Sequence, residues 1–180
     1  MKRIEYKIRE VSKARVLPIL EAVGATKLFE GEMTTTYYDN PMVGFVKNGK
    51  RVSMRTKGED TFLTFKNKYS NLNVSVADEY EVQLSDPRTF EKILEGLEYE
   101  PFIKFQKKRI DYKLDDVTFS FDKYLGEYDF VPEFLTIESD NDPIIFYWAQ
   151  ELGFSPEQCE SITILDLIKE YQSSTKLLNE

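Results

Sequence analysis

Several short segments alternate charged and apolar residues, and this alternation most constrains the fold of the chain. In residues 105–112, Lys107, Arg109 and Asp111 carry charge, whereas Ile110 and Tyr112 are apolar or amphipathic. A β-strand directs successive side chains to opposite faces. We therefore predict a strand with one charged face and one packing face. Such a face usually lies in solvent, but at least five other segments repeat the pattern, with mixed signs and many basic residues.

Length and charge bound the class of protein. A chain of 180 residues is long enough for one domain with a real core, which we place at residues 1–172, with a frayed tail at 173–180. The 24 basic and 32 acidic residues give a net charge of −8, which argues against nucleic-acid or membrane-surface binding. With no apolar run of about 18 residues and no signal-like apolar core in MKRIEYKIRE, we expect a cytoplasmic protein.

Two residue counts limit the chemistry. The chain contains no histidine, which removes histidine-activated nucleophiles and histidine-based zinc sites. The single cysteine, Cys159, excludes an internal disulfide and a thiolate metal cluster. Any reaction must therefore use Asp, Glu, Lys, Arg, Tyr or an oxygen-bound cation.

Alternation, turn residues and helix caps predict a mixed order of elements. The predicted strands are 2–9, 33–38, 51–55, 61–68, 79–84, 103–112, 117–122 and 134–138. The predicted helices are 12–23, 86–97, 142–152 and 163–171, with Asp86-Pro87 as a strong start. Turns are predicted at 47–50 and 57–60, and a loop at 69–76. Strand, helix, strand and hairpin occur in this order twice, from about residue 2 and about residue 78. This order suggests an internal two-fold repeat.

Two architectures fit these strands. An open sheet covered by helices on one side puts the charged faces in water, and the strand pattern alone favours it. A closed barrel puts them in a water-filled lumen, with the apolar faces under helices outside. The density of charge favours the barrel. We therefore predict an α+β fold: a closed antiparallel β-barrel of about eight strands, with a charged lumen and helices packed outside.

The charged faces carry more cations than carboxylates. The nine cations are Arg3, Lys7, Arg9, Arg51, Arg55, Lys66, Lys68, Lys107 and Arg109, and the six carboxylates are Glu5, Glu79, Glu81, Asp111, Asp122 and Glu138. Two like charges about 4 Å apart repel by about 4 kcal/mol at an effective dielectric constant of about 20. Such a surface suits a polyphosphate ligand, with carboxylates holding a divalent cation on the phosphate oxygens.

The order of these motifs resembles the CYTH family of triphosphate tunnel enzymes, which includes class IV adenylate cyclases and inorganic or thiamine triphosphatases. The likeness spans residues 2–171 and is strongest to the cyclase-type branch. The motifs that carry it are Glu5-Tyr6-Lys7, Tyr37-Tyr38-Asp39, 47–50 leading to Met54-Arg55, 63–66, 79–82, 107–109, Phe121-Asp122, 134–138 and 152–154. The resemblance implies an eight-stranded barrel that holds a triphosphate with Mg²⁺ or Mn²⁺. It also implies that a homodimer could form.

The resemblance assigns roles to individual residues. It implies phosphate-binding roles for Arg55, Lys66, Lys68, Lys107 and Arg109, and metal-side roles for Glu5, Glu138, Asp122 and Glu81. Lys7 and Glu5 are the candidate catalytic residues. Three positions depart from the family motifs, because Arg3, Ser53 and Thr136 stand where the family has Glu, Arg and Glu.

These departures leave alternatives open. Glu5 and Glu138 are either metal ligands or members of ion pairs with arginines, and Lys7 either contacts phosphate or orients water, or simply pairs with a carboxylate. Tyr124, Tyr128 and Phe130 could stack on a base, although aromatic loops more often pack. The chain is therefore either a metal-dependent triphosphatase or cyclase, a binding module for a phosphorylated or cyclic nucleotide, or a structural protein with an empty tunnel.

Overall fold

The fold consists of eight strands and four α-helices in the part of the chain that the structure describes. The structure is a computed structural model that describes residues 2–42, 44, 48–68 and 76–177, without the side chains of 2, 3, 68, 76, 77 and 174–177. The strands are β1 (Lys2–Arg9), β2 (Thr26–Asp39), β3 (Lys50–Lys57), β4 (Asp60–Lys68), β5 (Val76–Leu84), β6 (Glu100–Leu114), β7 (Val117–Tyr124) and β8 (Phe134–Ser139). The α-helices are α1 (Lys13–Ala22), α2 (Pro87–Gly96), α3 (Asp142–Glu151) and α4 (Ile164–Leu177).

All eight strands pair antiparallel in one curled sheet. The order is β1-β5-β4-β3-β2-β6-β7-β8, and β1 pairs with both β5 and β8. The β1–β5 contact is short, since its register covers only three residue pairs, from Lys2–Asp78 to Ile4–Val76. With helices packed on its outer face, this sheet confirms the predicted α+β class.

The repeat of element order is present in the structure. The order β1-α1-β2-β3-β4 is followed by β5-α2-β6-β7-β8. The pairing follows the same relation, because the first strands of the two halves pair with each other, and so do the two strands that follow the helices. Each half therefore supplies half of the inner face.

Several predicted bounds were wrong. β2 begins at Thr26 rather than at residue 33, and its pairing with the long β6 extends from Thr26–Lys113 to Asp39–Glu100. The sequence did not predict this extension, because Gly31 and the charged residues before Met33 interrupt the alternation of polar and apolar residues. α4 continues to Leu177, beyond the predicted end at Tyr171. The predicted turn at Lys47 and most of the predicted loop 69–76 lie outside the described residues.

Apolar residues on the outer sheet face form the core with the helices. The main cluster joins Ile4, Tyr6 and Ile8 of β1 to Leu20 of α1 and Ile145 of α3. Trp148 packs against this cluster, with its ring edge-on to Phe119 at 5.9 Å between centroids. Residues of α4 pack in a second cluster that includes Phe105, Tyr124 and Phe134. Burial of these even-numbered β1 residues directs Glu5 and Lys7 to the inner face.

No helix in the described ranges is long and apolar enough to cross a membrane.

Candidate functional site

The inner face of the sheet surrounds a cavity of about 620 Å³. Among the described residues, seven cations and six carboxylates line it. The cations are Lys7, Arg51, Arg55, Lys57, Lys66, Lys107 and Arg109, and the carboxylates are Glu5, Glu79, Glu81, Asp111, Asp122 and Glu138. The cavity thus brings together every predicted site residue except Lys68, whose side chain lies outside the described part.

The first charged cluster lies on β6 and β7. The Asp122 carboxylate accepts hydrogen bonds from Lys107 Nζ at 2.9 Å and from Arg109 Nε and Nη2 at 2.7 and 2.5 Å. The register places Arg109 directly opposite Asp122 on neighbouring strands. Lys107 and Asp122 are only 7% and 2% exposed. This geometry fixes both cationic side chains toward the cavity.

Burial and charge shift the protonation equilibria of this cluster. Burial and the charge of Arg109 lower the pKa of Lys107 to about 7. Burial tends to raise the pKa of Asp122, but the charges of Arg109 and Lys107 outweigh it and hold that pKa well below its usual value. Asp122 is therefore ionised at neutral pH, whereas the charge on Lys107 depends on pH in this range.

The second charged cluster lies on β3, β4 and β5. Arg55 Nη2 lies 3.0 Å from Glu81 Oε2 and 3.5 Å from Glu79 Oε1. Lys66 Nζ lies 3.1 Å from Glu79 Oε2. Thr64 joins the cluster, since it accepts from Arg55 at 3.1 Å and donates to Glu81 at 3.1 Å. Burial tends to lower the pKa of Lys66, but the carboxylates of Glu5 and Glu79 outweigh it and raise that pKa.

The third charged cluster lies on β1 and β8. Lys7 Nζ donates to Glu5 Oε1 at 2.9 Å. Glu5 and Glu138 are direct register partners on these two strands. The nearby charge of Lys7 holds the pKa of Glu5 far below its usual value, so Glu5 stays ionised. Two carboxylates thus face each other across the β1–β8 pair.

The positions that depart from the family motifs have neutral or undescribed side chains. Ser53 and Thr136 line the cavity and are both 7% exposed. Each hydroxyl group stands where the resemblance expects a charged group. The side chain of Arg3, the third departure, is not among those described.

The structure adds to the cavity a cation, Lys57, that the sequence did not predict for the site. Lys57 Nζ donates to Asp111 Oδ2 at 2.8 Å and lies 4.4 Å from the centre of the Phe29 ring. The other Asp111 oxygen accepts from Ser120 at 2.8 Å. We had placed Lys57 in a turn, but it continues the inward alternation of Ser53 and Arg55, which is the signal that could have identified it.

Other expectations for the site require correction. Arg9, which we counted on the inner charged face, instead pairs with Glu160 and Glu170 beside α4. Tyr124 does line the cavity, but its ring packs against Phe105 and Phe134, at 5.4 and 6.0 Å between centroids. Tyr128 likewise packs on Phe105 at 4.7 Å. In this structure these aromatic rings pack against one another.

No group of three or more Asp, Glu or Cys side chains that could hold a metal ion is present among the described residues. The cavity carboxylates are spread over five strands, and most of them pair with cations. Glu5 and Glu138 are the adjacent pair. For a metal ion, the described side chains therefore offer two neighbouring carboxylate ligands rather than a complete coordination shell.

A CYTH domain model matches residues 1–144 of this sequence. The chain belongs to the CYTH family. The match covers all eight strands of the sheet, and α4 follows it. Among curated protein sequences, none matches the chain.

Solved structures share the fold of this CYTH protein at low sequence identity. A protein from Pyrococcus horikoshii OT3 is 24% identical, with a TM-score of 0.74 over 92% of this chain and 98% of that one. A putative adenylate cyclase from Vibrio parahaemolyticus is 15% identical, with a TM-score of 0.77 over 93% and 97%. A putative adenylyl cyclase from Hippeastrum, described as having a dominant triphosphatase activity, is 12% identical, with a TM-score of 0.61 over 94% and 96%.

Proposed function

We propose that this CYTH protein binds a triphosphate-bearing small molecule, either a nucleoside triphosphate or inorganic triphosphate, in a closed tunnel with a charged lumen. The observation that carries the proposal is the convergence of Arg55, Lys66, Lys107 and Arg109 on one cavity. These are the residues to which we assign phosphate binding. A volume of about 620 Å³ lies in the range of about 300–1,000 Å³ typical of small-molecule sites.

The contrast between the cavity and the whole protein supports an anionic ligand. The chain carries a net charge of −8, yet cations outnumber carboxylates among the described cavity residues. Fixed arginine and lysine donors are suited to phosphate oxygens, and bidentate arginine contacts are among the stronger charge-assisted hydrogen bonds. Asp122 holds Lys107 and Arg109 in place before the ligand arrives, so less side-chain ordering is needed on binding.

We propose that a divalent ion binds in this site together with the ligand. Mg²⁺ is commonly held by one or two carboxylates plus substrate phosphates, and Glu5 and Glu138 are neighbouring register partners. In the proposal these two residues hold Mg²⁺ or Mn²⁺, which when bound neutralises charge on the phosphates. Glu81 is a further candidate ligand. Asp122 was also a candidate, but its contacts with Lys107 and Arg109 favour a role in positioning those cations.

The chain's own residues would then activate the phosphoanhydride. Arg55, Lys66, Lys107 and Arg109 would stabilise negative charge that develops on the phosphate oxygens. Lys7, 5% exposed and bonded to Glu5, is the candidate for contacting phosphate or orienting the attacking group. We propose a phosphohydrolase or cyclase-like reaction as the activity of this site.

A thermal-shift and turnover panel tests the proposal. The ligands are inorganic triphosphate, ATP, thiamine triphosphate and cyclic nucleotides, each with and without Mg²⁺ or Mn²⁺. A true ligand at a hundredfold excess over its dissociation constant should stabilise the fold by about 2.7 kcal/mol. Lys107→Ala should abolish most of this gain.

Lys108→Ala is the matched control, because Lys108 is the next residue on β6 and is exposed on the opposite face. Equal losses in the two variants would argue against the cavity as the site. If no phosphate ligand stabilised the wild-type protein, the proposal would fail.

A second candidate function is binding without turnover. It is favoured by the buried hydroxyl groups of Ser53 and Thr136 at positions where the resemblance expects Arg and Glu. In that case wild-type protein binds triphosphate but does not convert it. The double variant Arg3→Glu, Thr136→Glu should then gain metal-dependent turnover, whereas ordinary wild-type turnover would exclude this candidate.

A further inference from the structure

Arg51 stands apart from the other cations of the cavity. Six of the seven cavity cations form ion pairs with cavity carboxylates. Arg51 lines the same cavity and is half-buried. Within the described part of the chain, it has no ion-pair or hydrogen-bond partner through its side chain. Among the described residues, Arg51 is therefore the one cavity cation without a carboxylate partner.

The strand register places Arg51 next to another cation. Arg51 of β3 is the direct partner of Lys66 on β4. Like charges directly opposite each other on neighbouring strands destabilise a sheet. Glu79 is the nearby carboxylate most suited to relieve this repulsion, but it already contacts both Lys66 and Arg55. Its negative charge is therefore shared between these two cations. An anion between Arg51 and Lys66 would relieve the repulsion.

The strand geometry also leaves room for such an anion. Arg51, Ser53 and Arg55 share the inner face of β3, and the small Ser53 lies between the two arginines. Two residues along a strand span about 6.6 Å, so the two arginine Cα atoms are about 13 Å apart along β3. Their long side chains can therefore contact different phosphates of one extended ligand.

We propose that Arg51 and Lys66 form an additional anion subsite, which binds a terminal phosphate of the ligand chain. This proposal rests on the proposed function, and it adds Arg51 to the phosphate-binding residues, as a contact to the phosphate that a diphosphate lacks. Arg55, Lys107 and Arg109 bind the remainder of the chain, and Arg51 extends the basic surface toward one end of the cavity.

Isothermal titration of Arg51→Ala with inorganic triphosphate and with pyrophosphate tests the subsite. Loss of a charge-assisted contact should weaken triphosphate binding by about tenfold or more, and pyrophosphate binding clearly less. Arg51→Lys should retain part of the affinity, because lysine keeps the charge but not the bidentate geometry. Lys50→Ala is the matched control, since Lys50 precedes Arg51 on β3 and does not line the cavity.

Thermal unfolding separates a binding role from a structural one. If Arg51 serves the ligand, Arg51→Ala without ligand should melt at the wild-type temperature or above it, because a like-charge repulsion is removed. A clearly lower melting temperature would instead indicate a structural role and overturn the inference.

The two proposals fail in different ways. If wild-type protein binds triphosphate and Arg51→Ala binds it as tightly as Lys50→Ala does, only the subsite is refuted. An equal loss for triphosphate and pyrophosphate would refute the assignment to a terminal phosphate. If wild-type protein binds neither anion, the proposed function itself fails, and the subsite with it.

Discussion

Asp122 organises the basic side of the cavity. One carboxylate accepts three hydrogen bonds, from Lys107 Nζ and from two nitrogens of Arg109, while it is only 2% exposed. Breaking a buried ion pair from one side is costly, because the remaining charge stays buried without compensation. The same contacts that would position the cations for a ligand therefore also stabilise the ligand-free fold.

We predict that Asp122→Asn lowers the free energy of unfolding by about 3–5 kcal/mol, the range typical of a buried pair that loses one partner. Urea denaturation at neutral pH would measure the loss. Asp116→Asn, at an exposed turn between β6 and β7, is the control and should change stability by less than about 0.5 kcal/mol. A similarly small effect at Asp122 would mean that the cluster contributes little to stability.

Lys107 makes ligand binding depend on pH. Because its pKa is lowered to about 7, this lysine loses its charge as the pH rises through neutrality. Only the protonated form attracts phosphate, so the contribution of Lys107 to binding is present below about pH 7 and fades above it. A bound phosphate would raise this pKa and draw a proton onto the side chain.

We predict that the affinity for triphosphate, relative to that of Lys107→Arg, decreases from pH 6 to pH 8.5. The arginine variant stays charged throughout and experiences the same ionisation of the ligand, so it is the matched reference. Calorimetry at pH 8 in buffers of different ionisation enthalpy should show more proton uptake by wild type than by the variant. A constant affinity ratio would place the pKa of Lys107 outside this range.

Helix α4 closes part of the cavity from outside the residues that match the family. Thr163 and Ile164, at its start, line the cavity. Leu167 and Ile168 are buried against an aromatic cluster that includes Tyr124, a cavity residue. Arg9 adds a polar link to Glu160 and Glu170. The position of this helix is thus coupled to the cavity through shared side chains.

We predict that Leu167→Ala destabilises the protein by about 2–5 kcal/mol, as expected for truncation of a fully buried leucine. Because Leu167 belongs to α4, trypsin should also cleave this helix faster than it does in wild type. Gln172→Ala, at an exposed position of the same helix, is the control for helix propensity. Unchanged proteolysis together with lower stability would mean that α4 does not loosen separately from the sheet.

At the scale of the whole molecule, the duplicated order of elements explains how one curled sheet is assembled from two similar halves. Each half contributes strand, helix and three further strands, and the halves join through the β1–β5 and β2–β6 pairs. Apolar residues then lie on the outer face under the helices, and charged residues lie inside. The acidic excess of the chain thus lies mainly away from the cavity, where the described cations outnumber the described carboxylates by seven to six.

The sequence by itself determined the strands, their charged face and much of the candidate site. Period-two alternation is a local property, so it correctly indicated that Lys107, Arg109 and Asp111 share a face. Asp86 was likewise recognised as a helix cap, and it accepts from the Thr89 amide at 3.1 Å. The family was also recognisable, because ordered motifs survive where overall identity is low.

Only the tertiary structure decided which charges pair and where each side chain ends. Arg9 continues the alternation of Glu5 and Lys7, yet it lies by α4 because Glu160 and Glu170, far away in sequence, attract it. Lys57 meets Asp111, and Arg51 meets Lys66, only because strand register aligns them. Ion pairing depends on distances across strands, and such distances depend on the register and curl of the whole sheet rather than on any local pattern.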